Sequence, residues 1–203
     1  MMIGLYAKRV GGVWLGVACD EQRVFSTSFS RSEQDALSSL LDCVPFDVAF
    51  QVFSEPSAFA EQVLASVKSV YDGKGVSESF PLDTERLSPY TRGVLDATAA
   101  IPVGYVASYG SVAKAAGGGP RAVGGVMAAN PFAPVVPCHR VVRSDFMLGG
   151  YGGGLDVKLA ILTREKRGYR VEQKIPVGGK KLRVFPVEFV LRKLKQTKVK
   201  HRG

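Results

Sequence analysis

Prolines at 131, 134 and 137 constrain this chain more than any other local feature. Each fixes φ near about −65° and removes an amide donor, so the segment Asn130-Pro131-Phe132-Ala133-Pro134-Val135-Val136-Pro137 is denied a helix interior and a central strand. The three-residue spacing predicts an extended, polyproline-like approach. It delivers the chain to Cys138-His139-Arg140-Val141-Val142, where a thiol and an imidazole stand side by side in an otherwise apolar run. Cys138 is the one cysteine of three with a histidine neighbour, and His139 is one of two histidines.

A thiol attacks as its thiolate, so a reactive cysteine needs a base or a positive field to bring its pKa down from about 8.5. His139 is the nearest base, but successive side chains of an extended segment point to opposite faces. A bridging water is then the natural relay, with a third group orienting the imidazole. The competing reading makes Cys138 a small buried hydrophobe and His139 a satisfied core histidine. For an arbitrary Cys-His pair that second reading is favoured, and the flanking residues taken up below reverse it.

Two hundred and three residues allow one large or two small domains with an ample apolar core. No apolar run reaches about eighteen residues and the N-terminus lacks a signal-peptide layout, which predicts a cytoplasmic protein with no membrane partner. Three cysteines without regular spacing suit a reducing compartment, and Cys19 and Cys43 read as structural. The net charge of +9 is uneven: residues 1–84 hold 6 basic and 11 acidic side chains, 85–169 hold 10 and 5, and 170–203 hold 11 and 2. A basic second half is the footprint of a polyanionic partner, since phosphate neutralisation drives nucleic-acid binding. For the terminal stretch 192–203 a merely solubilising tail is the alternative.

Three segments, Ile3–Val10, Val13–Cys19 and Arg23–Phe29, separated by Gly11-Gly12 and Asp20-Glu21-Gln22, predict a three-stranded antiparallel meander. Ser30 and Glu33 suggest a capping box for a short helix carrying Ala36, Leu37, Leu40 and Leu41. Residues 48–53 suggest another strand, and 56–71 an amphipathic helix. Residues 73–83 read as the linker between domains 1–80 and 85–169, with 170–203 a basic extension. Ser88-Pro89 opens a helix in the second domain. Ser108 caps a helix to about Ala116, Gly117-Gly118-Gly119-Pro120 turns, and Arg121 begins another helix to about Ala129. That is a helix-turn-helix arrangement, and with the sheet it gives an α/β (α+β) chain. Ala122, Gly125 and Ala129 put a stripe of tiny residues on one face of the second helix. Tight helix packing would explain the stripe, but a cation at the positive end of the helix dipole does not serve core packing, so Arg121 favours an approaching partner. In the extension, residues 177–180 suggest a hairpin turn and 186–195 a basic amphipathic helix, which either packs on the body or adds phosphate contacts.

Asn-Pro, five residues, then Pro-Cys-His-Arg-Val-Val resembles the active-site signature of the O6-alkylguanine-DNA alkyltransferases, and matching motifs cover most of residues 88 to 169. The resemblance implies a ribonuclease-H-like N-terminal sheet domain with helices and a C-terminal helical domain with a helix-turn-helix, winged-helix-like DNA-binding unit. It implies double-stranded DNA containing O6-alkylguanine, and O4-alkylthymine as a further substrate, as the partner of a monomer. Cys138 becomes the alkyl acceptor, His139 the base acting through water, Glu165 the carboxylate that holds the histidine, and Asn130 the brace of the cysteine loop. Tyr109 acts near guanine N3 or the phosphate, and the carbonyls around Cys138 and Val141 accept the guanine amine. Arg121 replaces the extruded nucleotide in the stack while its helix, with Ala122, Gly125 and Ala129, lies in the minor groove. The run Gly149-Gly150-Tyr151-Gly152-Gly153-Gly154 has no phosphate-loop ending and no dinucleotide spacing. It reads as a wall over a flat ligand, Tyr151 against the base. Gly152 stands where many relatives carry Ser, and Ala128-Ala129 where some carry Arg. A thioether does not hydrolyse, so each molecule reacts once, and no metal or organic cofactor is implied.

Two other functions are consistent with parts of this pattern. A binding protein that marks lesions or regulates transcription without transfer needs the helix-turn-helix but not Cys138. A cysteine hydrolase needs Cys138 and His139 but also an oxyanion hole, for which no motif is present.

Overall fold

The computed structural model describes residues 2–76 and 78–200, with side chains described through 197. Ser77, inside the expected linker, and residues 201–203 of the basic extension lie outside the described residues. The chain forms two compact units: Met1–Arg86 with Pro131–Val135, and Leu87–Asn130 with Val136–Gly203.

In the first unit, β1 (Met2–Val10), β2 (Val13–Cys19) and β3 (Val24–Ser30) form the antiparallel meander, turned between β1 and β2 by Gly11 and Gly12 at φ of 59° and 84°. A fourth strand, β4 (Ala49–Phe53), joins β1 in parallel, so the expected three-stranded sheet is four-stranded in the order β3-β2-β1-β4. Helices α1 (Glu33–Leu41) and α2 (Ala58–Tyr71) follow β3 and β4. Leu40 of α1 packs with Ile3, Leu5, Ala18 and Phe25 in a buried cluster. The cap of α1 is Ser32, whose hydroxyl accepts from Asp35 N at 3.1 Å, and not Ser30. Ser30 is committed to β3, paired with Trp14. The end of the expected linker is tied down: Val24 N donates to Pro81 O at 2.9 Å and Asp83 N to Val24 O at 2.8 Å.

The proline segment is not extended. Residues 131–135 are consecutive turns, with the Ala133–Pro134 peptide cis. Thr27 holds them, donating from its amide to Pro131 O at 2.9 Å and from its hydroxyl to Ala133 O at 3.0 Å. A proline φ suits a turn as well as a polyproline helix, and these non-local bonds select the turn.

The second unit contains α3 (Pro89–Ala99), β5 (Tyr105–Ser108), α4 (Tyr109–Ala116), α5 (Pro120–Ala128), a 3-10 turn (Cys138–Arg140), β6 (Val141–Val142) and α6 (Leu155–Arg164). The basic extension adds β7 (Gln173–Val177), β8 (Lys180–Pro186) and α7 (Val187–Lys200). Ser88 and Ser108 cap α3 and α4 as their sequence positions predict, accepting from Thr91 N at 3.1 Å and Ser111 N at 3.0 Å. The sheet order is β6-β5-β8-β7. Val187 and Val190 of α7 are fully buried with Val106, Val142 and Leu162, so the extension is part of this unit's core. No helix among the described residues is long and apolar enough to cross a membrane.

Candidate active site

Cys138 heads the 3-10 turn: its amide donates to Val136 O at 2.8 Å across a γ-turn, and the 3-10 bonds that follow run from Arg140 N to Pro137 O at 2.9 Å and from Val141 N to Cys138 O. Cys138 and His139 are therefore successive residues of one tight turn and do not alternate across a strand. The half-buried Asn130 donates from its side-chain amide to Val136 O at 3.0 Å, bracing the residue that anchors the turn. Burial pushes the Cys138 thiol up, and the Asn130 hydrogen bond and the Lys158 charge pull it part of the way back. At rest the group is a protected thiol that needs a base.

His139 and Glu165 are both fully buried, with Nε2 of the imidazole 3.0 Å from Oε1 of the carboxylate. Burial holds the imidazole below its ordinary pKa despite the carboxylate, which keeps it neutral. Burial alone would raise Glu165, but hydrogen bonds and charge from His139 and Arg140 outweigh it and hold the carboxyl below its usual value. An ionised carboxylate places the imidazole proton on Nε2, leaving Nδ1 as the basic atom. Nδ1 is buried and has no hydrogen-bond partner among the described residues.

Arg140 and Lys158 belong to this site although the motif reading assigns no role to Arg140, which lies within the signature, and none to Lys158. Arg140, 5% exposed, donates from Nε and Nη2 to the Glu165 carboxylate and from Nη1 to Ile101 O at 2.6 Å. Lys158, fully buried, donates from Nζ to Val141 O at 2.7 Å and to Gly150 O at 3.2 Å, with Nζ 5.9 Å from the centre of the Tyr151 ring. Its pKa is pushed down to about 8 by burial, with Cys138 acting in the opposite sense. The available signal was periodic. Lys158, Ile161, Leu162 and Glu165 fall at i, i+3, i+4 and i+7 of α6 and all four are fully buried, so two charges sit on the apolar stripe.

The glycine run faces this machinery. A Cβ on Gly149, at φ 68°, would lie 2.9 Å from the Tyr109 ring, so the backbone passes directly over that side chain. Tyr109 opens α4, is half-buried, and keeps its proton because burial and then Cys138 raise its pKa. The Tyr151 hydroxyl is buried and held protonated mainly by burial. Gly152 is exposed with open space about it. Val141 O accepts from Lys158 and Cys138 O from Val141 N, and each carbonyl oxygen carries a second lone pair.

The DNA-facing residues expected on α5 form a separate, exposed surface. Arg121, Ala122, Gly125 and Ala129 are all exposed, while Val123 and Met127 are buried on the opposite side. The small stripe is therefore not used for helix packing within this unit.

Residues 89–167 match a family model described as 6-O-methylguanine DNA methyltransferase, DNA binding domain. The methylated-DNA–protein-cysteine methyltransferase of Thermococcus kodakarensis is 32% identical over 171 residues, which cover 81% of this chain and 96% of that protein. The protein of the same name from Methanothermobacter thermautotrophicus is 41% identical over 113 residues, and there the match covers 55% of this chain and 64% of the relative. Among solved structures, the O6-methylguanine-DNA methyltransferase of the hyperthermophilic archaeon Pyrococcus kodakaraensis is similar with a TM-score of 0.62 at 31% identity, covering 81% of this chain and 99% of that one.

Proposed function

The chain belongs to the methylated-DNA–protein-cysteine methyltransferase family, and on that premise we propose that it repairs DNA by moving an alkyl group from guanine O6 irreversibly onto Cys138. The observation that carries this reading is the buried His139–Glu165 pair, which leaves a neutral imidazole with Nδ1 as its basic atom beside a buried thiol.

A duplex hides the O6 position, so the nucleotide has to leave the stack. The exposed face of Ala122, Gly125 and Ala129 lets α5 approach the minor groove closely, and Arg121 fills the gap left in the stack. The flipped base lies between the Tyr151 wall and the 3-10 turn. Remaining lone pairs on the Cys138 and Val141 carbonyls accept its exocyclic amine, which selects guanine.

His139 Nδ1 takes the Cys138 proton through a water, and Glu165 stabilises the imidazolium that results. The thiolate then displaces the alkyl carbon in line. The S–C bond forms as the C–O bond breaks, and the electron pair returns to the guanine. Tyr109, still protonated, passes a proton to the leaving base near N3 and is reprotonated through water by the His139 imidazolium, so that the net transfer is the Cys138 proton to the guanine. The product thioether ends the protein's activity. It acts as a monomer in the cytoplasm, where DNA is present and thiols stay reduced.

The test is to incubate the protein with duplex DNA containing O6-methylguanine and weigh the intact chain. One added methyl group located on Cys138, absent in Cys138→Ala, is the expected result. Repair with unchanged protein mass would point to turnover, and binding without repair to a protein that only marks the lesion. Either would end the proposal.

A further inference from the structure

The β7–β8 hairpin sets cations opposite one another on its outer face. Its register sets Lys174 opposite Arg183 and Pro176 opposite Lys181, and all three cations are exposed. The alternate positions face inward: Ile175 pairs with Leu182, and Leu182 and Val184 are fully buried. Like charges directly opposite one another on paired strands repel. Glu172 is the one acid from Arg170 through Pro186, against five cations counting Arg170, and it is bonded to Arg183 at 2.6 Å. Burial of the inner face holds the hairpin together while its outer face stays cationic.

The hairpin is joined to the helix-turn-helix through β5. Tyr105 pairs with Pro186 and Val106 with Phe185, and Gln173 Nε2 donates to the Tyr105 hydroxyl at 2.7 Å. β5 ends at Ser108, the cap of α4. The hairpin follows α5 only after the 3-10 turn, β6 and α6, but in the sheet β8 lies directly beside β5, the strand that leads into α4, so β7–β8 flanks the helix-turn-helix in the position of a wing. The family model stops at residue 167, so this wing lies beyond the matched domain.

We infer that the β7–β8 hairpin is a second DNA-contacting element, whose Lys174, Lys181 and Arg183 lie along the phosphate backbone of the same duplex that α5 enters. This rests on the alkyl-transfer reading above, because the duplex is its partner. Duplex DNA is favoured over other polyanions because β5 couples the cationic face to the helix-turn-helix. The contacts are to phosphates, so they raise affinity without reading sequence.

The experiment compares full-length wild-type protein with Lys174→Gln/Lys181→Gln and with the charge-keeping Lys174→Arg/Lys181→Arg. Binding to an unmodified duplex is measured by fluorescence anisotropy over a series of salt concentrations, and reaction with free O6-benzylguanine is measured alongside. Loss of two phosphate contacts makes the plot of log K against log salt shallower by about 1.8, at roughly 0.9 per contact. The Arg variant keeps the wild-type slope, and all three proteins react equally with the free base. If the Gln variant keeps the full slope, or the Arg variant loses it, the wing is overturned while alkyl transfer stands. If the wild type accepts no alkyl group and binds no duplex, both readings fall.

Discussion

Arg140 grips the carboxylate of Glu165 through two guanidinium nitrogens, with Nη2 at 2.7 Å and Nε at 3.0 Å from both oxygens. The group that orients His139 is thus itself fixed, and its charge is balanced inside the unit. Replacing Arg140 with Met leaves a buried carboxylate and the Ile101 carbonyl without their strongest donor. The unfolding free energy is expected to drop by about 3–5 kcal/mol, read from urea denaturation. Arg140→Lys retains the charge but loses the planar fork, so it keeps more stability and still slows transfer.

The imidazole sets the pH dependence of the reaction. Because burial depresses the His139 pKa, the base stays neutral at a pH near 6.5, where an ordinary imidazole is half protonated. The single-turnover rate should therefore hold level from neutral pH to below about 6.5 and fall only as pH drops through the depressed value. A midpoint at or above the ordinary histidine value contradicts the assignment. Glu165→Gln removes the charge that stabilises the imidazolium, and it should slow alkyl transfer by roughly a hundredfold or more. Affinity for unmodified duplex should not change, because α5 is a separate surface.

How much of this was legible beforehand depends on whether the determinant was local. Ser88 and Ser108 were readable as caps because an N-cap bonds to an amide three residues on, and the meander was readable from its turns. The proline segment was misread as extended because Thr27, more than a hundred residues away, selects its turns. Cys138, His139 and Glu165 were picked out by motif, and the structure brings the last two to hydrogen-bonding distance. Arg140 and Lys158 were passed over because a buried cation and a solvated one have the same letter. For Lys158 the helical spacing with Ile161, Leu162 and Glu165 was the one local clue, whereas the burial of Arg140 depends on Glu165 and Ile101, residues distant in sequence.

Lys158 gives a stability prediction with a definite sign. Its pKa falls from 10.5 to about 8 on folding, so between those values the unfolded chain holds the extra proton and stability rises with pH. The shift corresponds to about 3 kcal/mol of penalty, present in full below pH 8 and relieved as pH rises toward 10.5. Lys158→Met has no ammonium to bury. Relative to that variant, the wild type should gain stability as pH rises through this window, measured by denaturant unfolding at each pH. A difference independent of pH would show that Lys158 is not a buried cation. The variant should also react more slowly at neutral pH, since the thiolate loses a nearby positive charge.

Two glycines of one run should respond in opposite ways. Gly149 has φ 68° and a Cβ there meets Tyr109 at 2.9 Å, so Gly149→Ala is expected to lose on the order of 1 kcal/mol or more of stability and to slow transfer by displacing that ring. Gly152 has open space about it, and Gly152→Ser should change stability by less than about 0.5 kcal/mol. Thermal unfolding and single-turnover kinetics on the two variants separate the roles.

The pairing of β8 with β5 also sets when the second unit can form. Val106 and Phe185 are neighbours across the sheet, and Val187 N donates to Gly104 O at 2.9 Å, so partners some eighty residues apart must meet. On a ribosome, the α4–α5 pair emerges long before β8 and α7. Until those last segments arrive, Val106, Val142 and Leu162 lack the cover that Val187 and Val190 provide. The second unit is thus completed only when β8 and α7 join it, and the interval before that is when a nascent chain most needs protection from aggregation.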